Sequence, residues 1–145
     1  MGRRAQLSMA FLFDTDAISE VMKPRPDEGY LAWLATVPRD DQFASAITIG
    51  ELFYGAYRTQ APARHLELLA SRILPAVTVL PFDTDVAHRY GRLGAELEHV
   101  GMRLTDADLQ IAATALHHGL ELVTGNLRHF TRVPDLAIRP LRSSA

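Results

Sequence analysis

The chain has 145 residues, a hydrophobic fraction of 48%, a charged fraction of 22% and a formal net charge of −2, which suits one globular domain with a real core. It contains no cysteine, so disulfides and thiolate metal centres are excluded and a reducing cytoplasm fits. The charge carries no bulk basic signature of a nucleic-acid binder, and no apolar run approaches the ~18 residues of a membrane span.

Residues 1–9 read as a flexible N-terminal tail, with Met9 a candidate start, and 10–145 as one domain. The apolar run Ala10–Phe13 behind Arg3 and Arg4 is too short for a signal-peptide core. It reads instead as a buried strand ended by Asp14. Thr15–Met22 reads as a helix broken by Pro24 and Pro26, and a short helix from about Asp27 to Thr36 follows. Residues 42–49, QFASAITI, form a second strand entering a helix over 50–58, GELFYGAYR. Pro62 opens a helix from Ala63 to about Ile73. Residues 76–82, AVTVLPF, are β-branched and bounded by prolines, the clearest strand signal in the chain. Asp83 and Thr84 start a helix with the stripe Val86, Tyr90, Leu93, Leu97. A helix over 106–118 comes next, with Gly119 as its left-handed C-cap. Strands at 120–124 and 137–141 close the chain.

Strands alternating with helices predict an α/β fold: a parallel sheet of about four to five strands covered by helices on both faces. In such sheets functional groups gather where strands end and helices begin. Asp14 follows the first strand, Glu51 the second, and Asp106 and Asp108 open the helix before the last main strand. Asn126 follows that strand. Taken singly, these acids read as caps: Thr48-x-x-Glu51 and Thr105-x-x-Asp108 both match the capping pattern, and Asp83 and Asp85 read as caps only. Convergence changes the balance. Three or four carboxylates at one sheet edge repel one another and hold protons unless a cation shares the site. Oxygen ligands suit Mg²⁺ or Mn²⁺, ions that activate water and stabilise charge on a phosphate.

Other chemistries lack a signature. The chain has no GxGxxG after a strand, no phosphate-binding P-loop and no nucleophile elbow. The six histidines form neither HExxH nor a zinc spacing, and the His117–His118 pair reads as a favourable helix C-terminus.

The sequence resembles the PIN-domain family, and within it the VapC-type toxins of toxin–antitoxin pairs. Four stretches carry the match: FLFDTDAISEVMK around Asp14, SAITIGELFYGAYR around Glu51, DADLQIAATALHHGLELVTGN around Asp108, and the closing NLRHFTRVPDLAI. Together they span residues 10 to about 140 in order. The resemblance implies a Mg²⁺-dependent endoribonuclease in which Asp14, Glu51 and Asp108 place the ion that activates water. It implies that Asn126 orients water and that Thr124 supports the site through its hydroxyl. It further implies a homodimer and a small VapB-like antitoxin, with no membrane partner.

Two positions depart from the family pattern. Asp16 stands where many relatives have Asn, and Asn126 where many PIN nucleases have a fourth Asp. The neutral amide lowers the site's charge. Asp106 and Asp108 diverge by roughly 200° on a helix of 3.6 residues per turn, so Asp108 is the preferred ligand and Asp106 a helper or cap. On helix 50–58, Leu52, Phe53, Tyr54 and Tyr57 cannot all face one core. They are expected either to be buried on more than one side or to line a dimer or antitoxin surface. The alternative function is a PIN-like nucleic-acid-binding subunit that grips DNA with its antitoxin and cleaves little.

Overall fold

The computed structural model describes residues 9–142. Of the expected N-terminal tail only Met9 falls among them, and it is exposed. β1 (Phe11–Phe13) is buried along its whole length, as a central strand covered on both faces must be. Its side chains alternate, Phe11 and Phe13 entering one apolar cluster and Leu12 the other. The chain turns at once into α1 (Thr15–Met22), opened by Asp14, whose Oδ1 accepts the Ala17 N–H at 2.8 Å. Pro24 ends this helix: the preceding Lys23 is extended, with ψ 154°, because the proline ring crowds a helical neighbour. α2 (Glu28–Leu34) is capped by Asp27, which accepts the Tyr30 N–H at 2.9 Å.

The next boundary differs from the sequence expectation. Ala46–Ile49 is apolar and partly β-branched, so it reads as strand. In the structure β2 (Gln42–Ser45) stops earlier and α3 (Ala46–Arg58) begins immediately. Ser45 decides this, its Oγ accepting the Ile47 N–H at 3.0 Å, a cap that satisfies an orphan donor of the first turn. Thr48 therefore lies inside the helix and fully buried, which overturns the expected Thr48–Glu51 capping box.

α4 (Pro62–Leu68) has Pro62 at its start and runs into a π-helical turn at Leu69–Ile73 and a 3₁₀ turn at Leu74–Ala76 before β3 (Thr78–Leu80). Asp83 caps α5 (Thr84–His99) through the Val86 N–H. α6 (Asp106–His118) ends at Gly119, which takes φ 66°, the left-handed cap predicted for it. β4 (Glu121–Thr124) follows. Between it and β5 (Ile138–Pro140) lies a short helix, α7 (Leu127–Phe130), that the sequence pattern does not announce.

The five strands form one parallel sheet in the order β3-β2-β1-β4-β5. One face is covered by apolar residues of α1 to α4, among them Ile18, Tyr30 and Leu52. The other is covered by α5, α6 and α7 through Leu93, Ile111 and Phe130. Leu122 of β4 is fully buried, and truncating such a side chain to alanine costs about 2–5 kcal/mol. From β1 the chain builds outward to β3 on one side, then returns to β4 on the other. The order thus reverses between β1 and β4, and the crevice beyond their carboxyl ends is where sheets of this kind bind ligands.

The C-terminal segment is clasped to α1 and α2. The Leu141 N–H donates to Thr124 O at 2.8 Å, the Arg139 guanidinium lies 4.2 Å from the Trp33 ring centre, and Arg142 Nη2 reaches Glu20 Oε1 at 2.7 Å. Glu20 is buried, and it also accepts from Lys23 Nζ at 2.9 Å and from the Asp27 N–H at 2.8 Å. Among the described residues no helix is long and apolar enough to cross a membrane.

Candidate active site

Asp14 leaves β1 at the reversal of strand order. Its N–H donates to Val123 O at 3.1 Å, extending the ladder to β4, while its carboxylate caps α1. Thr124, fully buried at the end of β4, ties the two strand ends together. Its hydroxyl accepts the Asn126 N–H at 2.8 Å and is one of the groups that draw the Asp14 carboxyl downward.

Burial is the main influence on Asp14. It pushes the carboxyl from 3.8 up to about 7, against the hydrogen bonds of Thr124 and Ala17. The negative charges of Asp16 and Asp108 push the same way. A carboxyl that keeps its proton near neutrality is what burial produces when no cation offsets it, and acidic neighbours add to it.

Asp14, Thr15, Asp16, Glu51, Asp108, Ile111 and Asn126 line one cleft of about 220 Å³. It gathers α1, α3, α6 and the turn after β4, so the segments predicted to converge do so. Glu51 is exposed, one turn beyond the buried Thr48, and its Oε1 accepts a short hydrogen bond from the Thr15 hydroxyl. Asp108 is half-buried in the first turn of α6. The cap of that helix is Thr105, whose Oγ1 accepts the Asp108 N–H at 3.3 Å. The Asp108 carboxylate is thereby free of capping, and its Oδ2 lies 3.7 Å from His129 Nδ1.

Asp106 goes elsewhere. It is exposed, takes a long 3.5 Å contact from the Tyr90 hydroxyl and lines a separate hollow with Tyr90, Arg103 and Leu104. The divergence of the two acids on α6 is the one helical geometry demands. A larger cavity, about 410 Å³, also lies away from the acids. It mixes Asp85, Glu96 and Asp135 with Arg89 and Arg92, so its charges largely offset one another.

Two residues at the site escape sequence reasoning, Thr15 and His129. The His129 ring nitrogen Nδ1 is 3.0 Å from Asn126 Nδ2. Had α7 been visible in the sequence, the i,i+3 spacing of these two residues would have placed them together. Among the described residues, no three acids or histidines stand within joint reach of one ion in their present rotamers.

The PIN domain family matches residues 11–136, and the chain belongs to that family. It is similar to VapC ribonuclease Y4jK of Sinorhizobium fredii, with 36% identity over 124 residues, covering 82% of this chain and 89% of that one. Ribonuclease VapC2 of Haemophilus influenzae is 34% identical over 130 residues, covering 86% and 92%. Among solved structures, DNA-bound VapBC from Salmonella typhimurium matches with a TM-score of 0.85 at 31% identity, covering 93% of this chain and 100% of that one.

Proposed function

We infer that the chain is a VapC-type ribonuclease toxin, a hydrolase that cuts RNA phosphodiesters with the help of Mg²⁺, for which Mn²⁺ substitutes. The observation that carries this reading is the convergence of Asp14, Asp16, Glu51 and Asp108 on one cleft, in a family whose similar members are ribonucleases. The donor set is made of oxygens, the chemistry a hard divalent cation prefers, and a cation would lift the repulsion that helps keep Asp14 protonated. When bound, such an ion stabilises charge on the phosphate and makes water a better nucleophile.

The protein's own groups have distinct tasks. Asp14, Glu51 and Asp108 hold the ion. Thr124 fixes the orientation of Asp14, and Asn126 orients water. Asp16 is an accessory charge at the rim. Glu51, long and exposed, has the rotational freedom to close the set by leaving Thr15. Asp106 is outside the cleft and plays no direct part.

The partner is a small VapB-like antitoxin, and the toxin itself is a homodimer. Tyr54 and Tyr57 of α3 support a protein-binding face, being 66% and 65% exposed, whereas Leu52 is buried in the core. Exposed tyrosines suit protein contacts because they bring large apolar area with a polar tip. An RNA substrate and a cysteine-free composition fit a cytoplasmic setting. The test is incubation of purified protein with RNA in Mg²⁺ and in EDTA. Cleavage in Mg²⁺ alone is expected. Full activity in chelator would sink the mechanism, and RNA binding without cleavage would favour the nucleic-acid-binding alternative. Sedimentation at micromolar concentration tests the dimer.

A further inference from the structure

We propose that the outer strip of α3 seats the RNA strand beside the scissile phosphate: Tyr54 stacks on a base and Arg58 pairs with a backbone phosphate. This rests on the ribonuclease reading of the cleft and extends it from the reacting atoms to the grip on the substrate.

The strip starts in the cleft. Glu51 lines it, and Tyr54 and Arg58 follow at i+3 and i+7 on the same helix. At 3.6 residues per turn the three positions fall within roughly 60° of one another, and at 1.5 Å per residue Arg58 stands about 10 Å along the axis from Glu51. All three are exposed. Helical side chains slant toward the N-terminus. Arg58 accordingly reaches back over Tyr54, its guanidinium 5.0 Å from the ring centre.

This pair is open to a ligand. Arg58 lies over the ring, yet Tyr54 is 66% exposed. The Arg58 charge enters no ion pair among the described residues. Gly50 and Gly55 stand four residues before Tyr54 and one after it, and a Cβ on either would meet nothing within 4 Å. Neither takes a left-handed conformation, so the fold itself requires glycine at neither place, and glycine weakens a helix. The room they leave suits a ligand that approaches the helix closely.

Single-stranded RNA fits the strip in two ways. Its unstacked bases are held on aromatic rings and guanidinium planes, the two groups paired here. A polyanion also needs cations, and among the described residues no lysine, arginine or histidine lines the cleft. Arg58 supplies a free positive charge on the strip that leads out of it. Contact with a protein uses the exposed rings and leaves the free charge and the two glycines without a task.

Labelled single-stranded RNA of random sequence tests the strip, by anisotropy in EDTA and by KM for cleavage in Mg²⁺. Tyr54→Ala should raise Kd and KM by about 5- to 150-fold, the span of one base–aromatic stack, with kcat close to wild type. Tyr54→Trp should bind at least as well as wild type, whereas Tyr54→Leu, which keeps apolar area without a π-face, should stay impaired. Arg58→Gln should flatten the slope of log Kd against log salt by about 0.7, the share of one phosphate contact on a single strand. Gly50→Leu should weaken binding while its thermal melt holds or rises, since leucine is the better helix former. Unchanged Kd and KM in Tyr54→Ala, equal rescue by Leu and Trp, or an unmoved salt slope in Arg58→Gln would overturn the proposal. Wild type that binds RNA without cutting it would count against the ribonuclease reading alone, and the binding arm would still test the strip. Wild type that neither binds nor cuts RNA would overturn both.

Discussion

Asp14 and Glu20 lie on the same short stretch of chain, one capping α1 and the other inside its last turn, and both are buried. Their protons behave oppositely. The Lys23 ammonium, first among several influences, holds Glu20 below its ordinary value against the cost of burial. The Asp27 N–H and the Arg142 guanidinium add to it. Asp14 accepts the Ala17 N–H but has no cation, its charged neighbours are acids, and burial pushes it up to about 7. The chain balances Glu20 from its own side chains and leaves Asp14 unbalanced. A buried carboxylate completed internally belongs to the architecture, and the incomplete one supports the proposed cation site.

Substitutions should separate the two regions, and the largest effect belongs to the cleft. Asp108→Asn should reduce RNA cleavage by more than the ~100-fold of an outer partner, while the melting temperature without metal holds or rises because repulsion is relieved. If Asp108 served the helix start, the variant would instead lose roughly 0.5–2 kcal/mol and cleave normally. Glu20→Ala should show the reverse pattern. Urea titration should find it destabilised by about 1–3 kcal/mol, since a buried network loses its acceptor while Lys23 and Arg142 return partly to water. Its cleavage per folded molecule should stay near wild type.

pH sharpens the contrast. The folded protein keeps a proton on Asp14 up to about 7, whereas the unfolded chain releases it near 3.8. Asp14 therefore favours folding at low pH and loses that contribution as pH rises through 7. Stability of wild type relative to Asp14→Asn, which retains a capping acceptor for the Ala17 N–H, should fall between pH 5 and 8 by on the order of 2 kcal/mol in chelator. Mg²⁺ should restore it. A difference that is flat with pH would remove Asp14 from the unbalanced class. The smallest effect belongs to Asp106→Asn: stability within about 0.5 kcal/mol and cleavage close to wild type, because that carboxylate faces Tyr90 and not the cleft.

Much of this arrangement was legible in the sequence because it depends on period and punctuation. Pro24, Pro62, Asp83 and Gly119 act on the local backbone, and the structure uses each as its chemistry dictates. The strand–helix alternation foretold the parallel sheet, and the acids fell where strands end. The sequence misplaced the start of α3 because Ala46–Ile49 is apolar enough for either state. A single hydroxyl bond from Ser45 settles that choice. It hid α7 because one helical turn contains too few residues to show a period. With α7 hidden, His129 had no neighbours, and Thr15 gave no sign of Glu51, 36 residues away. Contacts of that range depend on how the layers pack, which no spacing along the chain records.

Trp33, the chain's single tryptophan, meets Phe11 of the central strand edge-on at 5.0 Å and lies beneath Arg139 of the last strand at 4.2 Å. The molecule thus carries one indole fluorophore at the junction of its first strand and its last. Any loosening of β5 strips the guanidinium from the indole and changes its emission before the rest of the sheet gives way. Chain termini are among the first regions to open, and β5 is the last strand of the chain. Tryptophan fluorescence should therefore report the fastening of the C-terminal segment, and circular dichroism the melting of the whole. A gap between the two curves would measure how independently the tail of the chain can come undone.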